Sequence, residues 1–319
     1  MMTDFAPVHR QASVWPGAVA VVGLGQMGLP IALRLLAAAF RVTGCRRREP
    51  PAPFLAAGGR GCSSPAQAAD SCPVVLTLLP SAEALVSAVT GELGLASTTR
   101  RNGIWVEMST VPETVKRSLA ERMAERGWST LDCPISGAPV QLEAGEAVLL
   151  SSGQRATHDR VKPVLQAISP RVSYLGEFGR GIRAKYTAHL LLSGHSLVAA
   201  EALAFARAAD LNIAEVLDAL KGTLVSSYVF DHRAHRVLDA PDTPAASSLP
   251  ALADLLARLH RFAAELHTPT PVLDQTLTHL DGREAQRTDE LVVALYRDLT
   301  AGSALQARPQ PNRSTRERL

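Results

Sequence analysis

Residues 19–30 read VAVVGLGQMGLP, an apolar run that meets three glycines within six positions. Gly23, Gly25 and Gly28 fit the spacing G-x-G-x-x-G between a strand and a helix, with Leu24, Gln26 and Met27 as the loop residues between them. In that frame the first glycine permits a tight turn and the second lets a pyrophosphate approach the backbone. The third lets helix and strand pack closely. A flexible turn after a buried strand would carry the same letters, so the neighbouring residues decide between the two.

A dinucleotide site needs a group near the end of the next strand to read the adenosine ribose, often an acid about 20 positions on. Here VTGCRRREP at 42–50 supplies Arg46, Arg47 and Arg48, with no acid before Glu49. Guanidinium forks match a 2′-phosphate better than a bare diol, which favours NADPH (NADP+) over NADH. A solvated basic loop is the alternative in a chain this rich in arginine.

From residue 16 to 180, short β-rich runs alternate with helix-period stretches: PVVLTLL at 73–79, IWVEM at 104–108, WSTLDCPI at 128–135, AVLLSSG at 147–153 and RVSYLG at 171–176. Such alternation predicts βαβ units and an α/β, doubly wound, mainly parallel sheet of Rossmann type. Within TVPETVKRSLAERMAERG at 110–127, Thr110 and Glu113 have capping-box spacing and Gly127 marks the end of a helix. After Gly181 the pattern changes to one long helix over 182–211, then NIAEVLDALKG with Asn212 and Glu215 spaced as another capping box. A helix over 248–267 and a last one near 285–299 follow. The expected organisation is an arm (1–15), a dinucleotide-binding domain (16–180), an all-helical domain (181–300) and a disordered tail (301–319). A Pro/Ala/Ser-rich loop lies at 239–248.

Bulk properties narrow the function. The 319 residues suffice for two domains, and 33 basic against 30 acidic side chains leave a net charge of +3, too balanced to point to nucleic acid. Four dispersed cysteines without a C-x-x-C pair read as reduced thiols. The amino end lacks the basic-then-apolar order of a signal peptide, and Gln26, Arg34 and the glycines break the apolar run at 18–40. These features predict a cytoplasmic protein with a small-molecule substrate and no membrane partner. His232 and His235 in DHRAH have no partner at metal-site spacing, so no metal is expected.

Five motifs in order now resemble those of the β-hydroxyacid dehydrogenases, the family of 3-hydroxyisobutyrate dehydrogenase and tartronate semialdehyde reductase, over roughly residues 17–300. They are GLGQMGLPIA at 23–32; LLP at 78–80; VEMSTVPET at 106–114, where the family has V-D-x-S-T-x-x-P; DCPISGAPVQLEAGEAVLLSSG at 132–153, where it has D-A-P-V-S-G-G; and GRGIRAK at 179–185 with Glu201-Ala202 sixteen residues after the lysine. The resemblance implies a Rossmann domain joined by a long helix to an all-helical domain, and a homodimer or higher homo-oligomer through the helical part.

The same resemblance implies site roles. Lys185 stands at the catalytic lysine, where an ammonium of lowered pKa exchanges a proton with the substrate oxygen. Independently of the resemblance, Arg180 and Arg183 are near enough in sequence to push the same way, if their side chains point toward it. Ser136 and Gly137 match a carboxylate-binding turn, with Ala138 in place of its usual second glycine; Leu79, Pro80 and Thr110 match the nicotinamide side. His189 replaces the usual asparagine one helical turn after Lys185, as a substrate ligand or as a packing residue. The family's K-D-L lysine is missing from LADLLA at 252–257, and His232 is a candidate for lining the site. The function expected is hydride transfer between NADPH and a small aldehyde or keto acid. The alternatives are a related imine reductase, with Tyr186 or His189 supplying the proton, and a non-catalytic NADPH-binding protein.

Overall fold

The computed structural model describes residues 17–239, 249–280 and 290–305. In β1 (Ala18–Val22) the period of two sends Val19 and Val21 into one buried cluster and Ala20 and Val22 into another, because both faces of this strand are covered. There follow α1 (Gly28–Ala37), β2 (Arg41–Cys45), α2 (Ala52–Ala56), β3 (Arg60–Cys62), α3 (Pro65–Ser71), β4 (Val74–Thr77) and α4 (Ala82–Thr90). Next come β5 (Ile104–Glu107), α5 (Glu113–Ala124), β6 (Ser129–Asp132), β7 (Ile135–Ser136), α6 (Pro139–Glu143), β8 (Val148–Gly153), α7 (Arg155–Ile168) and β9 (Arg171–Tyr174).

The sheet order is β3-β2-β1-β4-β5-β6-β8-β7, with β9 alongside β8. All pairs from β3 to β6 are parallel; β8 runs antiparallel to β6 and β7 and parallel to β9. The expected doubly wound, mainly parallel sheet is therefore present. The order reverses between β1 and β4, and sheets of this kind bind ligands beyond the strand ends at such a switch point. One side chain joins three helices: Arg34 of α1 donates from Nε to the Ile168 carbonyl at 2.5 Å and from Nη1 to that of Glu143 at 3.1 Å. These carbonyls end α7 and α6, where helices leave acceptors unpaired.

The capping box at Thr110 does not form. α5 begins at Glu113, with Pro112 at its N-cap and no side-chain cap. The Glu113 carboxylate is engaged instead by Arg117 at 2.7 Å and by Arg183 at 2.7 and 3.0 Å. Gly127, at φ +78°, takes the left-handed turn that ends this segment, as expected.

The chain divides into two compact units, the first ending at Ala188 and the second beginning at His189. The division falls inside α8 (Arg180–Ala208), one continuous helix. The second unit continues through α9 (Ile213–Leu220), α10 (Tyr228–His232), α11 (Leu249–Glu265), α12 (Pro271–Leu280) and α13 (Leu291–Leu305), with no strand among its described residues. Asn212 caps α9 by accepting from the Ala214 N–H at 3.0 Å, while Glu215 meets its side chain and not its backbone, so only half of a capping box is built. α13 runs to Leu305, five residues into the span expected to be tail, and the first following proline is Pro309. The arm at 1–15, the loop at 240–248 and residues 306–319 lie outside the described residues. Among the described helices, α8 alone is long and apolar enough to cross a bilayer by length and composition, a test that core helices of soluble proteins also pass. Leu191, Val198 and Phe205 are exposed along it at seven-residue spacing.

Candidate cofactor and active site

The glycine turn is shaped by close backbone approach. Gly23 has φ +105°, and a Cβ there would lie 2.1 Å from the Leu78 carbonyl oxygen; one at Gly28 would lie 1.8 Å from that of Gly23. A side chain at Gly23 would also be strained by about 1–3 kcal/mol. A Cβ at Gly25 would meet nothing within 4 Å, so that residue leaves open room at the start of α1, where unpaired N–H groups suit a phosphate. That opening is where the glycine spacing would let a pyrophosphate approach the backbone. Leu24, a candidate cofactor residue, is only 2% exposed and packs into the core, because Gly44 below it makes space for its side chain. Only its backbone is left for a ligand. Gln26 is exposed and Met27 half-buried.

Gly23 N–H donates to the Cys45 carbonyl at 2.9 Å, which pins the turn to the end of β2. Arg46, Arg47 and Arg48 leave the sheet from that point, all exposed. Leu79 and Pro80 follow β4 beside the same turn, and Leu79 N–H donates to Ser109 Oγ at 2.9 Å. Ser109 and Thr110 follow β5. The candidate cofactor residues of four separate segments thus share the carboxyl end of the parallel strands.

Ser136 sits on β7 opposite Val148 and is half-buried. Gly137 has φ +146°, and a Cβ there would lie 2.9 Å from Cβ of Ala147. Ala138 adopts φ −86° and ψ 167°, a conformation open to any residue, so alanine in place of glycine costs no strain. Its N–H donates to Gln141 Oε1 at 2.8 Å and is therefore committed within the turn, not offered to a substrate.

Lys185 lies near the start of α8 and is 9% exposed. Burial pushes its ammonium down to about 8. The nearby arginines do not contribute, contrary to expectation: Arg183 is held by Glu113, and Arg180 lies 3.6 Å from Glu177. Each guanidinium is directed to a carboxylate that neutralises it. The first turn of α8 is fixed from the sheet, with Gly181 N–H donating to Ser152 Oγ at 2.9 Å and Ile182 N–H to Asp132 Oδ2 at 2.8 Å.

Behind that turn lies a feature the motifs did not reveal. Lys116 Nζ sits 2.6 Å from Glu107 Oε2 and 2.7 Å from Asp132 Oδ1, with all three side chains fully buried. Asp132 Oδ1 accepts a hydrogen bond from the ammonium, and Glu107 forms an ion pair with it. Burial alone would lower the Lys116 pKa, but the two carboxylates push it up to about 12; burial raises that of Glu107. A signal was present: Lys116 shares one helical stripe with Leu119 and Met123, an inward position for a charge.

His189, four residues after Lys185 on α8, is 9% exposed and Tyr186 is 4% exposed. His189 and His232 belong to the second unit, whereas Lys185, Ser136 and the cofactor residues belong to the first. His232 is exposed, with its ring centroid 4.3 Å from that of Tyr228. In LADLLA, Asp254 is paired with Arg258.

Residues 18–176 match the NAD binding domain of 6-phosphogluconate dehydrogenase, and residues 179–295 match the NAD-binding domain of NADP-dependent 3-hydroxyisobutyrate dehydrogenase. An L-threonate dehydrogenase of Cupriavidus necator is 33% identical over 228 residues, 71% of this chain and 77% of its own. The crystal structure of a 3-hydroxyisobutyrate dehydrogenase from Salmonella typhimurium superposes with a TM-score of 0.78 at 26% identity, covering 88% of this chain and 99% of that one. An imine reductase from Myxococcus stipitatus shares the fold at 18% identity, with a TM-score of 0.60 over 88% of this chain and 99% of its own. With the glycine turn, the sheet and the long helix in place, the chain belongs to the β-hydroxyacid dehydrogenase family and is an NAD(P)-dependent oxidoreductase.

Proposed function

We propose that the protein interconverts a small hydroxy acid and its aldehyde or keto acid with NADPH as the preferred cofactor, and that Lys185 is the general acid and base. The observation that carries this reading is a lysine buried near the start of the helix that follows the sheet, where burial pushes its ammonium down to about 8. The bound cofactor supplies or accepts the hydride. Near neutral pH Lys185 passes its ammonium proton to the oxygen that gains charge as a carbonyl is reduced, and its neutral amine takes the hydroxyl proton in the reverse direction. Ser136 Oγ and the Gly137 backbone hold the substrate carboxylate. The activity of the Cupriavidus relative makes L-threonate the first hydroxy acid to try. A buried ammonium repels a cationic iminium, which weighs against imine reduction.

The test follows NADPH consumption against semialdehyde acids, α-keto acids and cyclic imines, and NADP+ reduction by L-threonate and related hydroxy acids. Turnover of an acid-bearing substrate is expected; turnover of imines alone would overturn the proposal. Replacing Arg46, Arg47 and Arg48 together by serine is expected to lower kcat/KM for NADPH by roughly 10- to 100-fold with little change for NADH. An equal loss with both cofactors would reduce these arginines to surface charge. The exposed apolar stripe of Leu191, Val198 and Phe205 supports a homo-oligomer through α8. Light scattering should give at least twice the 33.9 kDa chain mass, and Phe205→Glu should lower it; a monomeric wild type would rule this out.

A further inference from the structure

Three charged side chains sealed inside a Rossmann core need a reason, because buried ion pairs seldom stabilise a fold more than apolar packing would. Lys116, Glu107 and Asp132 lie on α5, β5 and β6 and are each 0% exposed. Two arms lead away from them. On one side, Glu107 Oε1 accepts from the Ser109 N–H at 2.8 Å, and Ser109 Oγ accepts from the Leu79 N–H at 2.9 Å. On the other, Asp132 Oδ2 accepts from the Ile182 N–H at 2.8 Å and from Ser152 Oγ at 3.2 Å, and Ser152 Oγ accepts from the Gly181 N–H.

The second arm presses directly on α8. A Cβ at Gly181 would lie 2.4 Å from the Leu150 carbonyl oxygen and 2.8 Å from Asp132 Oδ2, so the helix can start only against this network. An anionic acceptor there also suits the positive end of the helix. Ile182 and Lys185 are three residues apart, stacked on one side of the first turn.

We propose that Lys116, Glu107, Asp132 and Ser152 are positioning residues, forming a buried strut that sets the Lys185 turn of α8 against the Leu79 loop at the cofactor edge. The proposal rests on the role given above to Lys185. None of the four touches substrate. Lys116 holds Glu107 and Asp132 at one spacing; Glu107 acts through Ser109 on Leu79, and Asp132 acts with Ser152 on Gly181 and Ile182.

The two arms can be cut separately. Asp132→Asn leaves a neutral Lys116–Glu107 pair, and Glu107→Gln leaves a neutral Lys116–Asp132 pair. Ser152→Ala removes one hydroxyl and no charge, and carries the test if Asp132→Asn does not fold. Lys185 is titrated by the pH dependence of its acylation with acetic anhydride, read by peptide mass spectrometry, and NADPH affinity is read by fluorescence. Ser152→Ala, which changes no charge, is expected to let water reach the Lys185 turn and so move the Lys185 titration upward by about one pH unit, toward the ordinary value of 10.5. Asp132→Asn also removes a nearby anion, which by itself lowers a lysine pKa, so that variant is read by kcat. Both variants should lower kcat by about tenfold or more, with the NADPH dissociation constant within about twofold of wild type.

Glu107→Gln is expected to do the reverse, weakening NADPH by about tenfold and leaving the Lys185 titration in place. A folded Ser152→Ala protein with an unmoved Lys185 titration, or a folded Asp132→Asn protein with unchanged kcat, would overturn the strut, whatever their melting temperatures. Equal Lys185 shifts from both arms would overturn the division of labour. Because acylation needs no turnover, failure of the catalytic role of Lys185 remains distinguishable from failure of the strut.

Discussion

Lys185→Met is expected to lower kcat by roughly a hundred- to ten-thousand-fold, with the NADPH dissociation constant little changed, and to make the folded protein more stable at pH 7. The two effects have one cause. Burial depresses the Lys185 pKa from 10.5 to about 8, so between these values the unfolded chain binds more protons than the fold does. Stability therefore rises with pH across that window, and below pH 8 the fold carries the whole cost of a desolvated ammonium, about 3 kcal/mol at 1.36 kcal/mol per pH unit. Methionine fills similar space without the charge. Urea denaturation at pH 7 and pH 10.5 checks the sign: the variant should be the more stable at the lower pH, with the advantage fading at the higher. Undiminished turnover, or a variant less stable at pH 7, would contradict this account of the site.

Lys116→Met is expected to act in the opposite direction, lowering stability by about 3–5 kcal/mol. It leaves the Glu107 and Asp132 carboxylates in an apolar interior without the ammonium that lies within 2.7 Å of each. In the wild type that ammonium, with its pKa raised to about 12, contributes fully below its ordinary value near 10.5, and the contribution is lost as pH rises through 12. In the variant, acid protonates Glu107, whose pKa burial raises, and relieves part of the cost, so the deficit should be smaller at pH 5 than at pH 8. The triple variant Lys116→Met, Glu107→Gln, Asp132→Asn should recover much of the loss. Denaturant midpoints for the single and triple variants measure this, and a single variant as stable as wild type would mean that the three charges are solvated.

Much of this was legible in the chain itself. The glycine spacing, the apolar strand runs and the loss of strand signal after 181 follow from short-range rules, and the sheet and helices obey them. What escaped was either too short or too distant. β3 has three residues and β7 two, less than a period of alternation can register. Glu113 looked like half of a capping box because its partner Arg183 lies 70 positions away, and the same pair removes Arg183 from Lys185. Leu24 looked like a loop residue facing a ligand until the absence of a side chain at Gly44 opened a place beneath it. Lys116 was hidden by its own chemistry: a lysine on a helix is ordinarily at the surface, and only the partners at 107 and 132 reverse that expectation.

The reach of Arg34 bears on how the chain comes to be folded at all. Its two carbonyl partners lie 109 and 134 positions further on, so α1 can form early but its guanidinium finds no acceptor until α6 and α7 exist. Loop-closure entropy makes contacts of that separation late ones. During synthesis the amino-terminal half of the sheet must therefore wait, one flank open, for roughly a hundred more residues to emerge, and mutations at Arg34 should accelerate unfolding more than they slow the first steps of folding.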